Sequence, residues 1–253
     1  MKISATIICM NESEKISRCL TSLLPVADEL IVVDSGSTDN TVALAKSLGA
    51  KVYHQPFLGH IEQKNYAASL AEHPWILSLD ADEALSEQLT HSIVQLKVSG
   101  SSTQTAYSMN RLNRIGEQWI RHGGWYPDTK VRLYPFAHAH WGGTNPHDKI
   151  ITEPRLKRIR LEGDLLHYSY NNIDELYVQQ EKFARLAAQA MFKQGKKNRG
   201  ISPFFPAAIR WFKGFILQAG FLDGLAGWHI ARSNFSYTFQ KYKQLHELRT
   251  QNP

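Results

Sequence analysis

The sequence predicts an α/β protein built on a doubly wound parallel sheet, with antiparallel strands added to it and a helical C-terminal region. Three observations carry this expectation. Apolar runs of strand length alternate with helical patterns through the first hundred residues, short alternating runs broken by Gly123-Gly124 and Gly142-Gly143 follow, and helical spacing returns from Asn172.

Ile3 to Met10 reads as the first strand, and Asn11 to Leu24 as a helix with Ile16, Cys19, Leu20, Leu23 and Leu24 on one face, closed by Pro25. Leu30 to Asp34 is a second strand. Ser35 to Asp39 supplies the turn and cap for a helix ending at Gly49, and Lys51 to Tyr53 is a third strand. Ile61 to Leu70 is helical. Trp75 to Leu79 is a fourth strand, apolar on both faces, and Ser86, Leu89, Ile93 and Leu96 follow at helical spacing. Beyond Gly100, Ala106 to Arg114, Gln118 to Arg121 and Lys130 to Pro135 have the short alternation of antiparallel strands. Asp174 to Gln194 and Pro203 to Leu248 are helical, joined by the Gly195 to Pro203 linker.

At 253 residues the chain accommodates one large α/β domain with an appendage. Cys9 and Cys19 fall in an apolar strand and on the buried side of a helix, so they read as core thiols of a reducing compartment. Met1 to Met10 shows no secretory pattern, and a cytosolic location is expected. The net charge of +6 is concentrated: eight cations and no acidic residue lie between Glu181 and Asp223, among them Lys196, Lys197, Arg199, Arg210 and Lys213. A polyanion or an anionic surface met locally would account for that.

The segment Leu77 to Glu83 ends an apolar run with Asp80, Asp82 and Glu83. Ligands collect at the carboxyl ends of strands in open α/β sheets. Carboxylates so close repel unless a cation or proton offsets them, and an all-oxygen set suits Mg²⁺ or Mn²⁺ bridging a nucleoside diphosphate. The competing reading makes Asp80 or Glu83 the cap of the next helix.

Met10-Asn11-Glu12, Val33-Asp34 with Ser35 to Asp39, Gln63-Lys64-Asn65 and Asp80-Ala81-Asp82-Glu83 occur in the order nucleotide binding needs. In that order the chain resembles the inverting nucleotide-sugar glycosyltransferases of family 2, which have the GT-A fold. Lys130 to Tyr134, Pro146-His147-Asp148 and Leu166 to Tyr170 are similar to the subgroup that builds the lipopolysaccharide inner core, closest to enzymes placing β-1,4-linked glucose on a heptose. The resemblance implies a Rossmann-like nucleotide-binding half over 1–100, an acceptor half over 101–171 and a helical extension over 172–253. It implies that Asp34 meets the uridine, that Asn11 and Glu12 form a wall of its pocket, and that Lys64 meets nucleotide or diphosphate oxygens. Asp82 would ligate Mg²⁺ or Mn²⁺, Asp80 would be shared between metal and ribose, and His167 would be a further ligand or diphosphate contact.

Each has a plainer alternative. Asp39 suits a helix cap, Lys64 an exposed helix lysine, and His167 a hydrogen-bonded core residue. Inverting transfer needs a base, and Asp148 is the candidate, although pairing with Lys149 or Arg155 on a solvated turn is its competing role. Relatives often have glutamate where this chain has Asp148. His147 orients Asp148 or binds acceptor phosphate. Trp119, Trp125, Tyr126 and Trp141 offer sugar-stacking faces, and Arg111, Arg114, Arg121 and Arg132 forked contacts to acidic groups, but each also fits core or solvated surface.

Phe204 to Ile216 mixes aromatics with Arg210 and Lys213, which interrupt any spanning apolar run, so peripheral attachment to the inner face of a bacterial inner membrane is expected. A packed helical hairpin is the alternative. The expected partners are a UDP-sugar, a lipopolysaccharide-core acceptor and an anionic membrane surface. Transfer to polyprenyl phosphate is a second reading, and a non-catalytic lipid- or nucleic-acid-binding protein a third. Outside the basic stretch the chain is slightly acidic, which argues against nucleic acid. Oligomeric state is not legible.

Overall fold

Four apolar runs form parallel strands, β1 (Ile3–Cys9), β2 (Glu29–Asp34), β3 (Lys51–His54) and β4 (Trp75–Asp80). They alternate with α1 (Ile16–Leu23), α2 (Thr41–Ser47) and α3 (His60–Ser69). Every residue of β2 is buried, which is why parallel strands covered on both faces read as continuous apolar runs. The computed structural model describes residues 1–145, 147–195 and 202–251. Pro146, the interior of the Gly195 to Pro203 linker, and Lys196, Lys197 and Arg199 of the basic stretch lie outside them.

Next come β5 (Glu83–Leu85), α4 (Glu87–Ser99), β6 (Thr105–Ile115), β7 (Gln118–Ile120) and β8 (Asp128–Pro135). A hairpin of β9 (Ala139–Thr144) and β10 (His147–Thr152) and the long β11 (Lys157–Tyr170) complete the strands. The main sheet runs β3-β2-β1-β4-β8-β6-β11-β5 and turns antiparallel where β8 joins β4, with β7 on the far end of β6. This is the expected parallel half continued by a mixed half. Ile3, Ile7, Leu20, Leu23, Leu77, Leu89 and Ile93 are fully buried between sheet and helices. Truncating one such leucine to alanine costs about 2–5 kcal/mol.

Two local expectations change. The first helix begins at Ile16 instead of Asn11, because Asn11 adopts φ 56° and Glu12 O accepts from Lys15 N and Ile16 N in a turn. Neither Asp80 nor Glu83 caps α4. Ser86 does, its hydroxyl accepting from Leu89 N at 3.2 Å, while Glu83 belongs to a strand and is buried.

Contacts divide the chain into Met1–Arg111 with Asp128–His167, and Leu112–Pro127 with Tyr168–Pro253. The second unit joins segments far apart in sequence, because Ile115 and Ile120 bury their side chains with Leu176, Ala226 and Ile230. Its helices are α5 (Ile173–Lys193), α6 (Phe204–Phe212) and α7 (Gly224–Gln251). The helical stretch read over Pro203 to Leu248 forms two helices, separated by a π turn at Lys213–Leu217 and a 3-10 turn at Gly220–Asp223. Backbone approach explains the break: a Cβ on Gly227 would lie 1.8 Å from Gly220 O. Buried Asp223 then accepts from Arg121 N at 3.1 Å and His122 N at 2.8 Å.

Candidate active site

Parallel register sets Cys9 level with Asp34 and Ile8 level with Asp80, so the first unit presents its acidic residues along one sheet edge. Asp34 is buried, and its Oδ2 accepts from Gly36 N at 2.9 Å and Ser37 N at 3.0 Å, while Oδ1 accepts from the Ser37 hydroxyl. Burial alone would raise its pKa, but the Ser37 hydroxyl and the two amides outweigh it and hold the carboxyl below its ordinary range. Burial and the neighbouring Asp34 push the Cys9 thiol up to about 12, so it is a neutral core thiol.

The loop after β1 is fastened to the loop after β2. Asn11 N donates to Ser37 Oγ and Asn11 Oδ1 accepts from Thr38 N, each at 2.8 Å. Asp39 accepts from Thr41 N at 3.0 Å and from Ser13 N at 3.1 Å, which is structural work that ties the two loops together. Glu12 N donates to Thr41 Oγ1, leaving the Glu12 side chain on the cavity. Burial, and after it the charge of Asp82, raises the Glu12 pKa against the lowering effect of Lys15.

Glu12, Lys64, Asp80, Asp82, Asp148 and His167 line one cavity of about 500 Å³, a volume in the range of small-molecule sites. Asn11 and Asp34 do not line it; they shape the loops beside it. Lys64 is buried on α3, its Nζ 2.8 Å from Asp80 Oδ1, 2.8 Å from Asp148 Oδ2, and 4.2 Å from the Trp141 ring centroid. It is therefore no solvated helix lysine. Asp148 pairs with Lys64, and no ion pair joins it to Lys149 or Arg155 among the described residues.

Two side-chain clamps bring Lys64 and Asp148 together. Asn65 exchanges bonds with the Trp141 backbone, Nδ2 to Trp141 O and Trp141 N to Oδ1, both at 2.9 Å. Asn145 accepts from Ile61 N at 3.0 Å and donates to Glu62 at 2.9 Å, fixing the start of α3 against the β9–β10 hairpin. Asp148 stands opposite Gly143, where φ 106° and a Cβ position 2.8 Å from His147 O require glycine.

Glu83, Arg132 and Trp141 take parts in the site other than those the sequence offered for them. Glu83 Oε2 accepts from Asp80 N at 3.0 Å, and Glu83 Oε1 takes Arg132 at 2.6 Å, so Glu83 braces the strand end. Arg132 also reaches Asp80 Oδ2 at 3.0 Å. Burial would raise the Asp80 pKa, but Lys64 and Arg132 outweigh it and hold the carboxyl well below the usual range. One signal was readable: Lys64 is three residues from Ile61 and from Ala67, on the apolar side of its helix, where a lysine needs a buried partner. Of the aromatic and arginine candidates, Trp141 and Arg132 are buried within this network. Arg114 lies over the rings of Trp119 and Tyr168 in the second unit.

Asp82 Oδ2 and His167 Nε2 are 3.2 Å apart, brought together because His167 on β11 pairs with Glu83 on β5. That is hydrogen-bond distance, and both side chains line the cavity beside Asp80. No group of three or more His, Cys, Asp or Glu converges as a metal site among the described residues. Asp80, on the same cavity, is held by Lys64 and Arg132.

Residues 4–151 match the family model described as glycosyl transferase family 2. A protein of Rickettsia bellii described as an uncharacterized glycosyltransferase is 33% identical across 98% of this chain and 86% of its own length. The lipopolysaccharide core biosynthesis glycosyltransferase LpsC of Rhizobium meliloti is 27% identical across 98% of this chain and 94% of its own. Among solved structures, glucosyl-3-phosphoglycerate synthase from Mycobacterium tuberculosis aligns with a TM-score of 0.37 at 25% identity, over 45% of this chain and 44% of that one. Matched over most of its first unit, and at its full span by relatives of the same class, the chain belongs to glycosyl transferase family 2 and is a glycosyltransferase of GT-A fold related to lipopolysaccharide-core enzymes.

Proposed function

We propose that this enzyme transfers glucose from UDP-glucose, with inversion, to a heptose of the lipopolysaccharide inner core. The observation that carries the reading is the placement of Asp148, a carboxylate on the same cavity as Asp80, Asp82 and His167, held by a lysine that also grips Asp80. The relationship to LpsC supports a core acceptor.

In this mechanism the acceptor hydroxyl attacks the anomeric carbon on the face opposite the diphosphate. Its oxygen forms the new bond, the bond from carbon to diphosphate oxygen breaks, UDP departs, and Asp148 takes the hydroxyl proton. Asp82 and His167 are the residues that would hold Mg²⁺ or Mn²⁺, which when bound supplies positive charge to the leaving diphosphate. Asp80, fixed by Lys64 and Arg132, serves the ribose instead of completing a metal cage. Asn11, Glu12 and Asp34 shape the nucleotide side through the loops they tie together. A diphosphate oxygen that draws Lys64 toward itself releases Asp148 for the acceptor, which couples donor binding to availability of the base. Release of UDP from UDP-glucose in the presence of a heptoside, with and without Mn²⁺, tests the reading. Turnover that needs both heptoside and metal supports it, and inertness toward every UDP-hexose overturns it.

The proposed location is the inner face of the bacterial inner membrane, peripherally bound. In the second unit Ile209, Leu217, Leu222 and Leu225 are 68%, 69%, 61% and 78% exposed, in the stretch that carries Arg210 and Lys213. Apolar side chains beside cations suit an anionic bilayer surface. No helix among the described residues is long and apolar enough to cross a membrane. Sedimentation with anionic but not zwitterionic vesicles is expected, weakened in Leu222→Ser/Leu225→Ser; equal sedimentation of that variant rules this surface out.

A further inference from the structure

The β9–β10 hairpin has two faces. Trp141 pairs with Ile150 and lines a cavity with Lys64 and Asp148, while the next pair, His140 with Ile151, turns to the opposite side as the pleat requires. A separate cavity of about 520 Å³ opens there, and it shares no residue with the cavity of Lys64, Asp82 and His167. Phe136, His138, His140, Thr152, Glu153 and the Asn65 amide line it, and no described lysine or arginine does.

The ligand class follows from the hydrogen bonds these groups have left to make. His138 Nδ1 lies 3.1 Å from Glu153 Oε2, so it donates there and the neutral ring keeps Nε2 as an acceptor. The second Glu153 oxygen and the His140 ring have no hydrogen-bond partner among the described residues. Thr152 Oγ1 accepts from Arg158 Nη2 at 2.7 Å and keeps its own proton to donate. Asn65 gives one N–H and one lone pair to the Trp141 backbone and retains one more of each. Donors and acceptors are thus interleaved. Phe136, 47% exposed, adds an aromatic face beside them.

A phosphate would find no lysine or arginine in these walls, and an alkyl chain would leave their polar groups unpaired. Nor do three or more His, Cys, Asp or Glu converge as a metal site among the described residues. A pyranose meets every demand, because its hydroxyls both donate and accept while its C–H face lies on an aromatic ring. We infer that this cavity is a second saccharide subsite, holding one neutral sugar unit on the face of the hairpin opposite Trp141. The assignment stands whichever carboxylate acts as base. Two sources offer the same chemistry, a free sugar and one unit of a longer saccharide chain.

The test is an NMR titration of the UDP-saturated protein, following the backbone amides of Ala137, Ala139 and Thr152. The probes are methyl glycosides of glucose, galactose and a heptose, glucose 6-phosphate, and a neutral core oligosaccharide freed of lipid and phosphate. At least one neutral probe should shift those amides saturably, and Phe136→Ala and His140→Ala should each weaken its binding about tenfold without changing UDP affinity. Tighter binding of the oligosaccharide than of any methyl glycoside identifies a unit of a longer chain, and equal binding identifies a free sugar. The subsite is overturned by any of three results: no saturable shift with a neutral probe, tighter binding there of glucose 6-phosphate, or full affinity in the Phe136→Ala/His140→Ala double variant.

Discussion

Lys64 Nζ lies 2.8 Å from Asp148 Oδ2, across 84 residues of sequence, and the same ammonium lies 2.8 Å from Asp80 Oδ1. One buried cation thus joins the strand end proposed to face the nucleotide to the carboxylate proposed to activate the acceptor.

Lys64→Met leaves Asp148 without its cation. Removing one member of a buried pair costs about 3–5 kcal/mol, and because Asp80 keeps Arg132 the loss should fall near about 3 kcal/mol, read from the urea midpoint. UDP binding should weaken as well. A variant with unchanged stability and unchanged UDP affinity would make the contact incidental.

The Asp82–His167 pair predicts metal linkage. In the wild type, Mn²⁺ should tighten UDP binding measured by calorimetry, and Asp82→Asn or His167→Ala should reduce that gain by at least about tenfold. Asp80→Asn should instead weaken UDP binding with and without metal alike. Full Mn²⁺ dependence in both the Asp82 and His167 variants would place the ion elsewhere.

Asp34 carries a pH signature. Its folded pKa is depressed, so its contribution to stability is complete above the unfolded carboxyl value of about 3.9 and disappears as pH falls through the lower folded value. Denaturation midpoints should drop below about pH 4 in the wild type. Asp34→Asn should start less stable at neutral pH and lose less on acidification; parallel curves for the two proteins would contradict the assignment.

The parallel half of the sheet was legible because Leu30 to Val33 and Trp75 to Leu79 are covered on both faces, and a strand in that setting has no reason to alternate. Asp34 and Asp80 were legible for a related reason, since each ends such a run, and Asp82 because it follows Asp80 in the turn after β4. The links that complete the site were hidden, because they depend on which segments meet. Asn65 finds Trp141 and Lys64 finds Asp148 only after α3 and the β9–β10 hairpin are in place. Glu83 looked like a helix cap in sequence, and burial with Arg132 gave it another task. The break in the C-terminal helix was hidden likewise, since Gly220 and Gly227 reveal their contact only in three dimensions.

The central claim is that Asp148 is the base in sugar transfer from a nucleotide donor. Lipopolysaccharide from cells lacking this protein, incubated with UDP-glucose, Mn²⁺ and pure enzyme, should gain one hexose on a core heptose by mass spectrometry. Asp148→Asn should bind UDP as the wild type does and transfer about 10²–10⁴-fold more slowly. Transfer by Asp148→Asn at the wild-type rate, or UDP affinity lost with turnover per bound donor preserved, would contradict the claim.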